Sequence, residues 1–135
     1  MATEAHDAAP AATQDAQTAQ GLEFMDLLAY IYLQHGLPDK AAVLLSARDL
    51  LAPDNARALL TLALAWVRSA KPRKALEVLE RLAILGAMDA QFHLVRAQAL
   101  QALERHDEAA SAMRAYVGML AQAGPTTSTA FPPPV

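Results

Sequence analysis

The chain has 135 residues, of which 54% are apolar and 19% are charged, and its formal net charge is −3. This length fits one domain with a core that needs no cross-links, and the lack of cysteine excludes disulfides, cysteine nucleophiles and thiolate zinc sites. The small negative charge argues against a dedicated nucleic-acid binder, since such proteins usually carry a basic excess.

The first 20 residues differ in composition from the rest of the chain. Residues 1–20 contain eight alanines and almost no large apolar residue, so they are predicted to form a disordered Ala-rich head. No lysine or arginine precedes Lys40, which argues against a secretory signal or a transit peptide. The apolar runs Leu27–Leu33 and Leu62–Val67 are both too short to span a bilayer. We therefore expect a cytoplasmic protein without direct membrane insertion.

Helical spacing begins near residue 21 and comes in pairs of segments. A first helix is predicted by apolar residues at helical spacing, Met25, Leu28, Ala29 and Tyr32. Gly36 and Pro38 break it. A second helix is predicted by Ala41, Leu44, Leu45 and Arg48, and it ends near Pro53. This region is therefore predicted to form a helical hairpin.

The pattern of this hairpin returns every 34 residues. Five columns carry it: Ala29, Ala63 and Ala97; Ala41, Ala75 and Ala109; Tyr32, Trp66 and Leu100; Leu45, Leu79 and Met113; Leu51, Leu85 and Met119. Small residues let two helices cross closely, while large residues fill the adjoining gaps. Three units are therefore predicted, over residues 22–55, 56–89 and 90–123, with Trp66 between the two helices of the second unit.

The end of the chain changes composition again. Residues 124–135 hold four of the eight prolines, which favours extended polyproline conformation and supplies no core. Residues 123–135 are predicted to form a disordered Pro-rich tail, and the folded domain is predicted to cover residues 21–122.

Residues that would carry catalysis are not arranged for it. The four histidines show no metal-ligand spacing, and the five glycines form no phosphate-binding loop. No nucleophile, base and oxyanion hole can be assembled from the motifs, so we expect no enzyme, no catalytic residue, no metal and no cofactor. The basic run Lys71–Lys74 lacks interleaved aromatic residues and is interpreted as a solvated turn.

The repeated columns resemble the tetratricopeptide repeat, whose pattern is W-x2-L-G-x2-Y, then A-x3-F, then P. The first unit resembles it through Met25, Leu28, Ala29, Tyr32, Ala41, Leu45 and Pro53. The second does so through Leu59, Leu62, Ala63, Trp66, Ala75 and Leu79. In the third, His93 and Arg96 replace two apolar residues. The resemblance implies an all-α fold in which three tetratricopeptide repeats form a short right-handed α-solenoid with disordered tails.

The same resemblance implies a concave groove lined by fixed positions of each first helix. The groove residues implied for this chain are Asp26, Tyr30, Leu33, Leu60, Leu64, Val67, Leu94 and Gln98. The alternative, that some of these residues only pack between helices, stays open. The lysine and asparagine pair with which some tetratricopeptide domains clamp acidic chaperone C-termini is absent from these positions.

Longer stretches resemble the YscY/SctY family of type III secretion chaperones. They are Phe24–Gly36, Lys40–Leu45, Leu50–Asp54, Arg96–Gln98 and Asp107–Tyr116. The resemblance implies a non-enzymatic cytoplasmic chaperone that binds an SctX-like early secreted subunit and docks at the export-gate protein. A needle-subunit chaperone, a translocator chaperone and a generic tetratricopeptide interaction scaffold remain alternatives.

Overall fold

The chain folds into helices joined by short turns. The computed structural model describes residues 2–130, with side chains for residues 13–123. Six helices lie within that range: α1 Ala2–Gln34, α2 Pro38–Leu51, α3 Ala56–Arg68, α4 Pro72–Ile84, α5 Ala90–Ala102 and α6 His106–Ala130. Residues 2–130 contain no strand, which confirms the predicted all-α class.

Helix boundaries recur at the predicted spacing. The second helices α2, α4 and α6 begin at residues 38, 72 and 106, and the first helices α1, α3 and α5 end at residues 34, 68 and 102. Each helix packs against its neighbour in sequence, and α3 also contacts α1 and α5. The helices therefore form three hairpins, α1–α2, α3–α4 and α5–α6, packed in chain order.

The turn inside each hairpin has the same backbone geometry. Gly36, Ala70 and Glu104 occupy equivalent positions, and all three have positive φ angles, of 69°, 59° and 61°. The backbone N–H of the next residue closes each turn by donating a hydrogen bond to the carbonyl five residues earlier, as in Lys71 N to Trp66 O at 2.8 Å. This is the Schellman arrangement that ends many helices, and it favours glycine. Only the first hairpin has glycine there.

The helices α2 to α5 begin in two different ways, which alternate along the chain. Pro38 and Pro72 open α2 and α4, where the missing proline amide needs no partner. The starts of α3 and α5 are instead capped by Asn55, which accepts from the Ala58 amide at 2.9 Å, and by Asp89, which accepts from Phe92 at 3.0 Å. Proline residues and side-chain caps, which act within one helical turn, thus determine where these four helices begin.

The core follows the predicted alanine columns. Ala29 and Ala63 are fully buried, as are Ala41 and Ala75. One continuous cluster of buried residues runs from α1 to α5, while Ala97, Leu100, Ala109 and Ala112 form a separate small cluster between α5 and α6. Small side chains therefore sit where helices cross most closely.

Two predicted packing positions differ from the structure. Trp66 is only half-buried: one part of its ring contacts the core, and lysine side chains cover the rest. Met113 is 39% exposed, although its column partners Leu45 and Leu79 are buried, because no helix packs on the outer side of α6 in the part of the chain that the structure describes.

Two helices extend into the regions that the sequence assigns to the head and the tail. The helix α1 begins at Ala2, and α6 continues through Pro125 to Ala130. The Ala-rich head can be helical because alanine has the highest helix propensity of all residues. Residues 13–20 are all exposed, so this part of α1 adds nothing to the core. Residues 131–135 of the predicted tail lie outside the described residues.

Candidate partner-binding surface

A cavity of about 700 Å³ opens between α1 and α3. Its lining includes Glu23, Asp26, Leu27 and Tyr30 from α1, Leu45 from α2, and Arg57, Ala58 and Thr61 from α3. Two of the residues predicted for the groove, Asp26 and Tyr30, therefore lie together. Tyr30 is 56% exposed, and its ring is available to a partner.

Asp26 is held in an ion pair across the first hairpin. Arg48 of α2 donates from Nε to Asp26 Oδ1 at 2.9 Å and from Nη2 to Oδ2 at 3.2 Å. Its third nitrogen, Nη1, donates to the carbonyl of Ala52 at 3.3 Å. The Arg48 side chain is buried, so this two-pronged geometry compensates the charge that folding removes from water. Asp26 thus shapes the cavity wall and also stabilises the hairpin.

The apolar residues predicted for the groove have two environments. Leu60, Leu64 and Val67 of α3 are half-buried, and each packs partly against the central core. Leu33, which the sequence places in the groove, differs from that prediction. Its side chain is only 8% exposed, because its position on α1 directs it into the core. Leu33 therefore contributes to packing and offers almost no surface to a partner.

The remaining predicted residues lie on α5. Leu94 is half-buried and Gln98 is exposed. Gln98 lines a second cavity, of about 650 Å³, whose lining includes Ala97, Gln101 and Ala102 of α5 and His106, Ala109, Ala110 and Met113 of α6. The eight predicted residues therefore do not share one cavity. They lie along the successive first helices α1, α3 and α5.

A second ion-pair cluster ties the first two hairpins together. Arg81 of α4 donates to both carboxylate oxygens of Asp49 in α2, at 2.8 and 3.0 Å, and to Asp54 Oδ1 at 2.8 Å. The hydrogen bonds that Arg81 donates to Asp49 are the main reason that the pKa of Asp49 is lowered. Its hydrogen bonds to Asp49 and Asp54 raise the pKa of Arg81. The cluster joins α4 to α2 and to the loop after it.

Sequence reasoning did not find these ion pairs. Asp26 and Arg48 are 22 residues apart, and Asp49 and Arg81 are 32 apart. One available signal was Arg48, which occupies a core-facing position of its helix and therefore needs an acidic partner. For Arg81 the spacing gives no such signal, because it lies half-exposed on the surface of α4.

The histidines and carboxylates whose side chains the structure describes do not gather into a cluster. Within residues 13–123, no three His, Asp or Glu side chains come together in a way that would hold a metal ion. His93 packs edge-on against Phe92, and His106 Nδ1 lies 3.2 Å from Gln101 Oε1. Both rings therefore have local structural contacts.

No model of a known protein family matches the chain, and no curated protein matches it either. Within the residues that the structure describes, no helix combines the length and apolar character needed to cross a bilayer. The surface on α1, α3 and α5 offers an exposed aromatic ring, half-buried aliphatic side chains and an exposed amide. Its chemistry suits the binding of a polypeptide.

Proposed function

We propose that the chain is a tetratricopeptide-repeat protein whose three hairpins form a short right-handed solenoid. The observation that carries this proposal is the 34-residue recurrence of helix ends, turn geometry and buried alanines. Such a recurrence is typical of repeats in which each unit buries its apolar face against the next.

In this arrangement the partner-binding surface is the open side of α1, α3 and α5. Tyr30 supplies an exposed aromatic ring, and aromatic side chains are enriched at the centres of protein interfaces. Leu60, Leu64 and Leu94 add half-buried aliphatic surface, and Gln98 adds an amide. A helical or extended apolar segment of a partner is the occupant that suits these groups.

The partner that we propose is a small secreted subunit of a type III secretion system, similar to SctX. The sequence resemblance to the YscY/SctY chaperones supports this choice. The chain would act in the cytoplasm, without catalysis or cofactor, and would bring the subunit to the export-gate protein.

Co-expression with an SctX-like subunit tests the proposal. We expect one soluble complex of fixed stoichiometry on size-exclusion chromatography, with a higher melting temperature than the free chain, because a ligand of the folded state stabilises it. If a needle or translocator subunit binds instead, the chaperone belongs to that alternative. If no secretion subunit binds, the chaperone proposal fails and the generic scaffold remains.

A pair of variants locates the surface. Tyr30→Asp changes an exposed residue of the cavity and should abolish the complex while the circular dichroism spectrum stays helical. Leu50→Glu is the matched control, since Leu50 is 83% exposed on α2 and lies outside the cavity. Equal binding by both variants would contradict the proposed surface.

A further inference from the structure

The turn between α3 and α4 carries four cationic side chains, two of which lie over one aromatic ring. Lys74 Nζ lies 4.5 Å from the centroid of the Trp66 ring, and Lys71 Nζ lies 5.3 Å from it. Arg68 and Arg73 are exposed and lie within three residues of Lys71 in the sequence. We call this surface the basic turn: Arg68, Lys71, Arg73 and Lys74, with Trp66 beneath the two lysines.

The cations of the basic turn have no acidic partner. None of the four forms an ion pair with any side chain that the structure describes. Three arginines elsewhere in the described chain are different, since Arg48, Arg81 and Arg105 are each paired with a carboxylate. Four positive charges within seven residues therefore repel one another in the free protein.

The backbone adds to this repulsion. The helix α4 begins at Pro72 with no side-chain cap and no acidic residue in its first turn, whereas α2 has Asp39 there and α6 has Asp107 and Glu108. Positive charge at the start of a helix is unfavourable, because the helix dipole is positive at that end. An external carboxylate would relieve both the dipole and the clustered cations.

The cation-on-aromatic contact also occurs in the preceding hairpin. Lys40 Nζ lies 5.9 Å from the Tyr32 ring, and these two residues precede Lys74 and Trp66 by 34 positions. In the third hairpin, Leu100 and Glu108 occupy the same positions. The cation–aromatic contact thus belongs to the first two hairpins, whereas the cluster of four cations belongs to the second, since Gln34, Leu37 and Asp39 stand at the other three positions of the first.

We propose that the basic turn is a second binding surface, distinct from the cavity on α1 and α3, and that it takes an acidic segment of a partner protein. A nucleic acid suits it less well. Single-stranded nucleic acid needs open aromatic faces on which bases stack, and here the two lysines lie over the only aromatic ring of the surface. The carboxylates of an acidic segment can pair with the cations and need no open aromatic face.

The experiment uses the full chain and a natural reporter. Trp66 is the only tryptophan in the sequence, and its ring lies beneath Lys71 and Lys74, so its fluorescence reports on changes at this surface. Titration with a short oligoglutamate peptide should give a saturable change in Trp66 emission that weakens as salt is added. An oligoglutamine peptide of equal length should give none.

Arg73→Glu provides the decisive variant, because it has opposite effects on stability and binding. It should raise the melting temperature of the free protein by about 2–5 °C, by placing an acid in the first turn of α4. It should lower the affinity for oligoglutamate by about fivefold or more. Arg114→Glu, at an exposed position of α6, is the control and should change neither quantity.

Three results would overturn the inference. They are the absence of a saturable Trp66 response, unchanged oligoglutamate affinity in Arg73→Glu, and binding of a short oligothymidylate that is as tight as that of the peptide. The proposed secretion partner does not enter this test. Failure of the basic turn therefore leaves the chaperone proposal standing, and the reverse is also true.

Discussion

The second helices of the three hairpins start at equivalent positions but are held very differently. The helices α2 and α4 contribute to the continuous core and are joined by Arg81 and its two carboxylates. In contrast, α6 is attached through the four-residue cluster with α5, and its ion pair, Arg105–Glu108, is local and exposed. Equal spacing along the chain thus does not imply equal stabilisation.

The difference lies in what covers each helix. Phe92 and the rest of α5 pack against α4, but the outer side of α6 leaves Met113, Val117 and Leu120 between 39 and 55% exposed. An internal unit gains stability from both neighbours, and an end unit gains it from one. The third hairpin should therefore be the first to open.

We expect the largest loss of stability at a core position of the second hairpin, and a much smaller loss at the equivalent position of the third. Leu79→Ala removes a side chain that is 2% exposed and should lower the free energy of unfolding by about 2–5 kcal/mol. Met113→Ala, 34 residues later, should cost less than about 1 kcal/mol because that side chain is already partly in water. Urea denaturation followed by circular dichroism measures both. Equal losses would contradict the distinction between the hairpins.

A smaller effect should come from the ion-pair cluster between the first two hairpins. Asp49→Asn should lower the free energy of unfolding by about 1–2 kcal/mol at neutral pH, since it weakens two charged hydrogen bonds to a half-exposed Arg81. Glu108→Gln in the third hairpin is the control, and its exposed local pair should contribute about 0.5 kcal/mol or less.

The pH dependence of the same cluster has a definite sign. Folding lowers the pKa of Asp49 from its ordinary value of 3.8, so the ionised carboxylate stabilises the fold above that value. This stabilisation is lost as the pH falls below it through the lowered pKa. Urea midpoints measured from neutral pH to acid should fall more steeply for the natural chain than for Asp49→Asn. Parallel curves would contradict this contribution.

The smallest effect concerns the turns. Ala70→Gly should raise stability by about 1 kcal/mol, because glycine adopts the positive φ angle without the steric conflict that alanine has. Gly36→Ala should lower it by a similar amount, and a Cβ there would meet no atom within 4 Å, so the cost is purely conformational. Thermal melts of both variants test the equivalence of the two turns.

Much of this fold could be predicted from local signals. Pro38, Gly36 and Pro72 mark helix boundaries through their own backbone preferences, and the alanine columns mark close crossings through size alone. Such signals are independent of distant residues. They are enough to predict the number and spacing of the hairpins without knowledge of any contact.

The candidate surface was less predictable, because it depends on helix rotation and on distant partners. The repeat pattern predicts Leu33 in the groove, but its side chain is buried in the core. The same pattern predicts Trp66 in the interior, but the lysines that cover it come from the next turn and helix. Asp26 lies in the wall of the first cavity, and its pairing with Arg48 depends on the geometry of both helices.

Close backbone approaches in this protein join only helices one or two places apart in the chain, throughout residues 2–130. Almost every native contact can therefore form after the closure of a short stretch of chain, which keeps the entropic barrier low. Proteins dominated by such local contacts fold within microseconds to milliseconds. The hairpins should accordingly form early and fast, even while the chain is still being synthesised.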